Sequence, residues 1–349
     1  QHQYGNIFKI NSNKDTSSYF INDPTLIKEL LVKNHSNYRK GPGFERIKML
    51  LGNGLIVSDG QTWRRARTMI QPTFARQNIH KLIQKMISCS KNRATAWDAL
   101  IENKQSINIT KEMSEFALEL ILKSIFGEDY ENLIDENGEN PFSFLSKDTT
   151  RNLSVVMKMR NLRQTLLSII TIRRKQENTE DYDFLTMYLN ASDKLGNKFT
   201  DIELIDEIIT LIVAGYETSA GTLNWAWYLL STQPDELEKL YQESQPIFEK
   251  LNDLNHEAIN SMHFTQAVLE ETLRLYPPVW LFSRRSTNDD QLGGYEIAVN
   301  SNLFVSPYIL HRSKEFWDNP NRFNPGRFIN RDGAKVVNMA YFPFSLGPR

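Results

Sequence analysis

The feature that most constrains the fold is one long stretch, Asp201–Ser231, that contains no proline and is strongly apolar at its centre. If it is a single helix, it is about 45 Å long at 1.5 Å per residue. The run Ile208–Gly215 has only Thr210 as a polar side chain. A helix that is apolar on every side is buried on every side. The sequence therefore predicts one long helix through the interior of the protein.

The rest of the chain is predicted to be mostly helical, with a minor sheet. Apolar periodicity predicts further helices at 23–32, 62–70, 79–102, 109–126, 158–176, 184–191, 234–248 and 265–275. Short alternating stretches predict strands at 5–10, 17–21, 285–287, 295–299 and 303–306, and the segments 40–59 and 314–349 look like loops. The expected fold class is mainly α with a minor β-sheet, in a single domain over 1–349.

Composition excludes several classes of function. The net charge is -1, so the chain lacks the basic excess that is typical of nucleic-acid binders. Its single cysteine, Cys89, excludes intramolecular disulfides and multi-cysteine zinc sites. No apolar run reaches the roughly 18 residues of a membrane-spanning helix. We expect a cytoplasmic protein if the source is bacterial, with membrane association only if an anchor precedes Gln1.

A motif of small and polar residues, Ala214-Gly-Tyr-Glu-Thr218, interrupts the apolar centre of the long helix. Leu211, Ala214, Gly215 and Thr218 lie at helical spacing on one face. This face is shallow and carries one hydroxyl, so a flat ligand can lie against it. The alternative is a close helix crossing at Gly215, with Thr218 hydrogen-bonded to a carbonyl of the preceding turn. Both interpretations are open at this point.

A second motif places Glu271 and Arg274 side by side on one helical turn. Arg327 follows later, within Phe-Asn-Pro-Gly-Arg-Phe at 323–328. Because guanidinium groups suit multidentate contacts with a carboxylate, these residues are candidates for a buried Glu-Arg-Arg cluster. The alternative is an exposed ion pair worth a few tenths of a kcal/mol.

In this order, the motifs resemble those of the cytochrome P450 family. The matching elements are Trp-Arg-Arg-Ala-Arg at 63–67, Ala-Gly-Tyr-Glu-Thr at 214–218, Glu-Thr-Leu-Arg at 271–274, the segment 323–328, and Phe-Ser-Leu-Gly-Pro-Arg at 344–349. One departure is Gly326, where the family commonly has an acidic residue. The resemblance implies the cytochrome P450 fold and a bound haem b.

The resemblance also implies how the haem is held. The residues it assigns to cofactor binding are Trp63, Arg67, Arg284 and Arg349 at the propionates, with His311 as a further candidate, and Phe344 beside the proximal sulfur. The family pattern places the ligating cysteine two positions beyond Arg349, so no metal ligand lies within this chain. We expect the protein to continue through that cysteine and a final helix. The family's F and G helices also lead us to expect further residues between 127 and 182.

On the oxygen side, the resemblance implies that Thr218 orders water and that Glu217 supplies protons from solvent. Ala214 and Gly215 are expected to leave room for oxygen, and to accommodate a local bulge in the helix. The expected substrate wall is apolar, which favours a lipophilic or weakly polar substrate. Its residues are Leu211, Val279, Trp280, Leu281, Phe282 and the segment 44–55.

The implied reaction is insertion of one atom of O2 into a small organic molecule, by hydroxylation or oxidative dealkylation. Because no flavin or nicotinamide motif is present, NAD(P)H electrons are expected from a ferredoxin, a flavodoxin or a flavin reductase. A basic docking face is expected from Arg64, Arg65, Arg76, Lys81 and Lys85. We expect a monomer that does not bind nucleic acid. The alternatives are an enzyme of this fold that rearranges or dehydrates a peroxide, and a haem-free binding protein.

Overall fold

The computed structural model describes residues 5–13, 16–134, 140–147, 153–176, 183–248, 256–329 and 339–348. The chain forms two compact units. The sheet unit comprises Gln1–Glu45, Trp225–Lys250 and Ala258–Arg349, and the helical unit comprises Arg46–Asn224 and Leu251–Glu257. The segment in which further residues were expected, 127–182, lies partly outside the described residues.

The α-helices of the described residues are, in chain order, α1 Pro24–Lys28, α2 Phe44–Leu51, α3 Gly60–Ile70, α4 Arg76–Glu102, α5 Ile109–Phe126, α6 Phe144–Lys147, α7 Leu153–Lys175, α8 Phe184–Asn190, α9 Asp201–Ser231, α10 Pro234–Phe248, α11 His256–Asn260, α12 His263–Leu275 and α13 Pro307–Leu310. The predicted mainly helical class is confirmed. None of the helices in the described part of the chain is both long enough and apolar enough to cross a membrane.

The helical unit is built around the first two thirds of α9. Ile208, Ile209 and Ile212 are at most 1% exposed, and they belong to one apolar cluster with residues of α5, α7 and α8. The predicted burial of the α9 centre is therefore confirmed. At about 25 cal/mol per Å² of apolar surface removed from water, such a centre favours burial strongly. The position of α9 is consequently fixed along most of its length within this unit.

The sheet unit contains a five-stranded sheet with the strand order β1-β2-β7-β4-β3. Its strands are β1 Ile7–Asn13, β2 Thr16–Ile21, β3 Tyr38–Lys40, β4 Phe282–Ser286 and β7 Asn302–Val305, and a separate hairpin pairs β5 Asp290–Leu292 with β6 Tyr295–Ile297. Strands β2 and β7 are parallel and the other neighbours are antiparallel. The early and late parts of the chain thus meet in one sheet, as predicted.

The sequence missed six short elements of the described residues, which are α2, α6, α11, α13, β3 and β5. Strand β3 has only three residues, two of them basic, and it forms through pairing with β4 rather than through its own pattern. Helix α2 follows Gly41-Pro42-Gly43, a turn signal that made 40–59 look like a loop throughout. By contrast, the predicted helix start at Asp23 is confirmed, because its carboxylate accepts the backbone N–H groups of Thr25 and Leu26.

Candidate functional site

The Ala214–Thr218 stretch of α9 is regular α-helix and is only partly buried. The Thr218 hydroxyl donates a hydrogen bond to the Ala214 carbonyl over 2.7 Å. Thr222 makes the same bond to the carbonyl of Thr218, over 2.8 Å. A hydroxyl that donates its only proton in this way can still accept hydrogen bonds through its oxygen. The bond foreseen in the helix-crossing alternative is present, and it leaves Thr218 an acceptor.

Gly215 lies against a neighbouring helix. A Cβ atom at this position would be 2.9 Å from the Cδ1 atom of Ile121 on α5. Helix α9 contains no bulge in this region. The expectation that Gly215 makes room for oxygen does not fit this geometry, because the face of α9 that carries Gly215 packs on α5. Ala214 is half-buried and remains the small residue one turn before Thr218.

The two residues between Gly215 and Thr218 differ in environment. Tyr216 is partly buried and its hydroxyl donates to the carbonyl of Leu145. Burial, together with the nearby Glu217 carboxylate, raises the pKa of Tyr216 to about 12. Glu217 itself is exposed. An exposed carboxylate next to a half-buried hydroxyl can exchange protons with solvent.

A set of contacts that the sequence did not reveal lies nearer the start of α9. The Asp206 carboxylate accepts the backbone N–H of Asn53 at 2.7 Å and the Arg163 guanidinium of α7 at 2.8 Å. Glu207 accepts the backbone N–H of Leu55 at 2.9 Å. These contacts hold the loop after α2, here called the clamped loop (residues 52–58), against α9.

The clamped loop needs glycine where it meets the helix. Gly52 has a φ of +86°, and a Cβ there would be 1.9 Å from the Asp206 carboxylate oxygen Oδ1. The signal for this contact was two acidic residues inside a buried helix, together with the Gly-Asn-Gly sequence at 52–54. The clamped loop overlaps the segment expected to wall the substrate. Leu211, also expected there, packs partly buried against the core of this unit.

Helix α3 carries the candidate haem residues of the helical unit. Trp63 is half-buried and Arg67, one turn later, is exposed. Arg65 has a different role from the one expected, because its guanidinium pairs with Asp193 at 2.9 Å and Glu203 at 2.7 Å. These ion pairs engage Arg65 within the unit and argue against including it in the docking face.

In the sheet unit, Arg284 lies on β4 between β3 and β7. Burial lowers the pKa of its guanidinium to about 10, because it disfavours the charged form. The preceding residues of the expected substrate wall differ in exposure. Val279 and Trp280 are 46% and 59% exposed and Leu281 is half-buried, whereas Phe282 belongs to the apolar core of this unit. Phe282 thus packs in the core, which does not fit the role expected for it.

The structure brings Glu271, Arg274 and Arg327 together. Arg274 binds the Glu271 carboxylate through two bonds, Nε–Oε2 at 2.7 Å and Nη2–Oε1 at 2.8 Å, and both side chains are fully buried. The Nε atom of Arg327 lies 3.2 Å from Oε1 of Glu271. The backbone N–H of Asn324 donates to the same oxygen at 2.9 Å. This cluster is the buried one predicted and not the exposed ion pair.

The remaining donors of Arg274 bind backbone carbonyls. Nη1 donates to His311 and Pro320, each at 2.7 Å, and Nη2 also donates to Arg322 at 3.3 Å. The guanidinium stands 5.1 Å from the ring centre of Trp317. A buried charge is tolerated when it is paired and its hydrogen bonds are satisfied. The cluster therefore joins α12 to the segment that follows α13.

His311 is fully buried and does not have the environment of a propionate ligand. Its Nδ1 lies 3.2 Å from the Arg274 carbonyl, and its Nε2 lies 3.1 Å from the backbone nitrogen of Phe342. Both ring nitrogens are thus engaged by the backbone. The expectation that His311 contacts a carboxylate of the cofactor does not fit this geometry.

The segment 344–348 follows at the end of the described chain. Phe344 is 83% exposed. Gly347 has a φ of +77°, and a Cβ there would be 2.0 Å from the Leu31 carbonyl, so this position requires glycine. Arg349, expected at a propionate, lies outside the described residues.

Cys89, the single cysteine, lies buried on α4. Burial raises the pKa of its thiol, which disfavours the thiolate that iron would need. In the described ranges, no group of three or more His, Cys, Asp or Glu side chains is arranged to hold a metal ion.

Comparison with known proteins decides the family. A sequence model described as Cytochrome P450 matches residues 1–349. The chain belongs to the cytochrome P450 family. Over 99% of its length it is 29% identical to the Arabidopsis thaliana protein LUTEIN DEFICIENT 5, chloroplastic, of which the match covers 63%. It is 29% identical to cyclooctatin synthase of Streptomyces melanosporofaciens (93% of the chain, 74% of the relative) and 27% identical to pentalenene oxygenase of Streptomyces avermitilis (99% and 79%).

This P450 is a haem-dependent monooxygenase, and monooxygenases of this family generally use O2, an organic substrate and a redox partner. The donor set of the chain fits a haem, whose two propionates are carboxylates. Arg67 and Arg284 offer guanidinium groups, and Trp63 offers an indole N–H.

Proposed function

We propose that this P450 inserts one atom of O2 into a lipophilic or weakly polar organic molecule, by hydroxylation or oxidative dealkylation. The observation that carries the proposal is the half-buried Thr218 hydroxyl, which is bonded to Ala214 and stands next to the exposed Glu217. When bound, thiolate-ligated haem supplies the activation of O2 and favours cleavage of the O–O bond. The protein residues must then bring protons and exclude stray water.

Thr218 is suited to order water on the oxygen side. Its proton is donated to the Ala214 carbonyl, so its oxygen can accept a hydrogen bond from water. A side chain with this arrangement holds a proton donor in place without competing as a donor itself. Thr222 has the same bond one turn later, which makes it a natural control.

Glu217 is suited to bring protons from solvent to that water. Its exposure keeps the carboxylate hydrated, and its neighbour Tyr216 holds the helix to the Leu145 carbonyl. A general acid or base contributes through proton transfer when it is within reach of the reacting group, directly or through one water. We assign Glu217 the supply of protons and Thr218 their final placement.

For the cofactor, we propose haem b, with Trp63, Arg67, Arg284 and Arg349 at the propionates. Arg is the side chain best matched to carboxylates, because its planar group can donate two parallel bonds. We propose that the axial thiolate comes from a cysteine two positions beyond Arg349, as in the family pattern, and that Phe344 packs beside its sulfur. We propose no cofactor role for Cys89.

For the substrate, we propose a compact apolar molecule bound near Leu211, Ala214 and the 279–281 segment. These side chains are almost all apolar, and Val279 and Trp280 are not used by the core of the sheet unit. Two similar Streptomyces proteins are a pentalenene oxygenase and a cyclooctat-9-en-7-ol 5-monooxygenase. Together with the apolar side chains, they support a lipophilic or weakly polar substrate for this chain.

For electron supply, we propose an acidic ferredoxin, flavodoxin or flavin reductase domain. Arg64, Arg76 and Lys81 are exposed along α3 and α4, and Lys85 is half-exposed. Complementary charge accelerates association and makes it dependent on salt. An Arg64→Glu variant should slow reduction by such a partner at low salt, whereas Lys194→Glu, at another exposed lysine, should not.

The test of the proposed function uses the full-length protein loaded with haem and reduced with dithionite. After addition of carbon monoxide, a Soret band at the position of thiolate-ligated haem supports the proposal, and its absence from protein with bound haem contradicts it. Consumption of O2 and NAD(P)H in the presence of a redox partner is the second readout. Turnover of a fatty-acid hydroperoxide without electrons, and no O2 consumption, would favour the peroxide-rearranging enzyme.

A further inference from the structure

A buried imidazole joins two parts of the sheet unit that carry separate sequence motifs. His311 follows α13 directly, and its ring spans from the end of α12 to the segment Tyr341–Phe342. The first of these carries Glu271 and Arg274, and the second leads into Phe-Ser-Leu-Gly-Pro at 344–348. The proposed oxygen chemistry does not use this residue, and its full burial does not fit the propionate contact expected for it.

The two ring contacts fix the protonation state of His311. The Phe342 backbone N–H can only donate, so Nε2 must be the acceptor. The Arg274 carbonyl can only accept, so Nδ1 must carry the proton and donate. The neutral Nδ1–H form satisfies both partners and a doubly protonated ring does not. Burial lowers the pKa of His311 to about 3, which keeps this neutral form at all moderate pH values.

The contact between His311 and Arg274 is reciprocal. The guanidinium of Arg274 donates to the His311 carbonyl at 2.7 Å, while the His311 ring faces the Arg274 carbonyl. Displacement of either residue therefore breaks both bonds. This pair adds the His311 imidazole to the Glu271 cluster. The imidazole in turn accepts the backbone N–H of Phe342 and so connects the cluster to that residue.

The segment held in this way is further ordered by its own packing. Tyr341 and Phe342 contact the His311 ring at centroid distances of 5.4 Å, in a tilted and an edge-on arrangement respectively. The Tyr341 hydroxyl donates to the Glu270 carbonyl at 3.1 Å. The Phe342 carbonyl accepts the N–H of Ser345, which has a φ of +64°. The direction of 344–348 therefore depends on where Phe342 is held.

We propose that His311 is a positioning residue, whose neutral imidazole couples the Arg274 cluster to the Phe342 backbone and so sets the direction of the segment that leads to the haem-binding loop. The consequence for the loop rests on the proposed function, whereas the coupling itself belongs to this chain alone. A rigid ring with a donor and an acceptor on opposite edges meets both requirements at once. Asn and Gln carry both groups on one flexible end, and Ala carries neither.

The first measurement follows hydrogen exchange of the Phe342 amide in the full-length protein. We expect His311→Gln and His311→Ala to speed this exchange by about tenfold or more, the loss that corresponds to one hydrogen bond of about 1.4 kcal/mol. His263→Gln is the matched control, because His263 is exposed. Unchanged exchange at Phe342 in folded His311→Gln protein overturns the coupling.

The second measurement follows the carbon monoxide complex of the reduced, haem-loaded protein over time. We expect the His311 variants to lose the Soret band of thiolate-ligated haem severalfold faster than wild type and the His263→Gln control. If the wild type never shows this band, the proposed function fails while the hydrogen-exchange result still stands. If the wild type shows it and His311→Gln keeps it equally long, the consequence for the loop is wrong.

Should His311→Ala fail to fold, His311→Gln carries the test, because it retains polar atoms in the cavity. Should both fail to fold while His263→Gln folds, hydrogen exchange at the Phe342 amide is measured in a His311→Asn variant. Unchanged exchange in that variant overturns the coupling. If His311 only fills space, exchange at the Phe342 amide in the Gln, Asn and Ala variants should become faster as the side chain becomes smaller. The positioning role predicts that all three release Phe342 to a similar extent.

Discussion

Two regions with equally short sequence motifs differ sharply in how their polar groups are satisfied. In the Glu271 cluster, both oxygens of the carboxylate and all three nitrogens of Arg274 have protein partners at full burial. In the Ala214–Thr218 stretch, Thr218 bonds only to its own helix among the bonds described, and Glu217 points to solvent. The charged groups of the Glu271 cluster are all paired within the protein, whereas the Thr218 hydroxyl can still accept a hydrogen bond.

The difference indicates which motif stabilises the protein and which serves its chemistry. A saturated buried charge cluster contributes little net stability relative to apolar packing, yet breaking it is very costly. A half-satisfied hydroxyl in a regular helix can be removed at low cost to folding. Variants in the first region should therefore change the free energy of unfolding. Variants in the second should change how much product is formed per NAD(P)H consumed.

Removing Arg274 should have the largest effect on stability. Arg274→Ala leaves the Glu271 charge buried and removes the donor to the His311 and Pro320 carbonyls, so we expect a loss of about 3–5 kcal/mol in the free energy of unfolding. Urea denaturation measures it, with Arg322→Ala, at an exposed side chain, as the control. A loss below 1 kcal/mol would mean that Glu271 and Arg274 are not buried and paired in solution.

Acid should destabilise the protein through His311. Its pKa is about 3 in the folded protein and near 6.5 in the unfolded chain, so between these values the unfolded state binds more protons. Stability is therefore full above pH 6.5 and falls as the pH drops, by on the order of 1.4 kcal/mol per unit for a buried group. Unfolding free energies at several pH values measure this slope, which His311→Gln should lack. Equal slopes in both proteins would contradict the buried neutral ring.

Arg327 should matter less than Arg274, because it contacts only one carboxylate oxygen and its side chain is 12% exposed. We expect Arg327→Lys to cost about 1–2 kcal/mol in urea denaturation, since a charged hydrogen bond is weakened while the central pair persists. A cost equal to that of Arg274→Ala would show that the three residues act as one unit.

Thr218→Ala should cost less than about 1 kcal/mol in stability, because alanine favours a helix and the lost bond is local. We expect it to lower the yield of product per NAD(P)H consumed and to raise hydrogen peroxide, measured in the reconstituted full-length enzyme. Thr222→Ala removes the equivalent bond one turn later and should leave the yield unchanged. Equal yields in the two variants would refute the role of Thr218.

Glu217→Gln should change stability least, within about 0.5 kcal/mol, because the side chain is exposed. If Glu217 brings protons to Thr218, the variant should slow product formation and increase the solvent deuterium isotope effect. An unchanged isotope effect would remove Glu217 from the proton path.

The sequence predicted elements with a strong internal pattern and missed those formed by distant contacts. The bounds of α5 and α10 matched the prediction, since apolar periodicity runs through each segment and the Asn108 side chain caps the start of α5. Strand β3 depends on its partner β4, and His311 depends on a backbone amide 31 residues later. Asp206 and Glu207 looked like ordinary helix charges because the main-chain amides they bind, those of Asn53 and Leu55, lie 153 and 152 residues earlier in the chain.

The clamped loop has a consequence for how this enzyme can vary. Glu207, which holds the loop, and Thr218 lie 11 residues apart on one unbroken helix, which is about 16.5 Å along the axis and nearly the same face. Helix α9 thus fixes the distance between the clamped loop, held at Glu207, and the Thr218 hydroxyl. Substitutions within the loop can reshape the space it borders while that spacing stays constant. Deletion of one residue between them would rotate the loop attachment by about 100° around the axis, so changes in length belong in the loop and not in the helix.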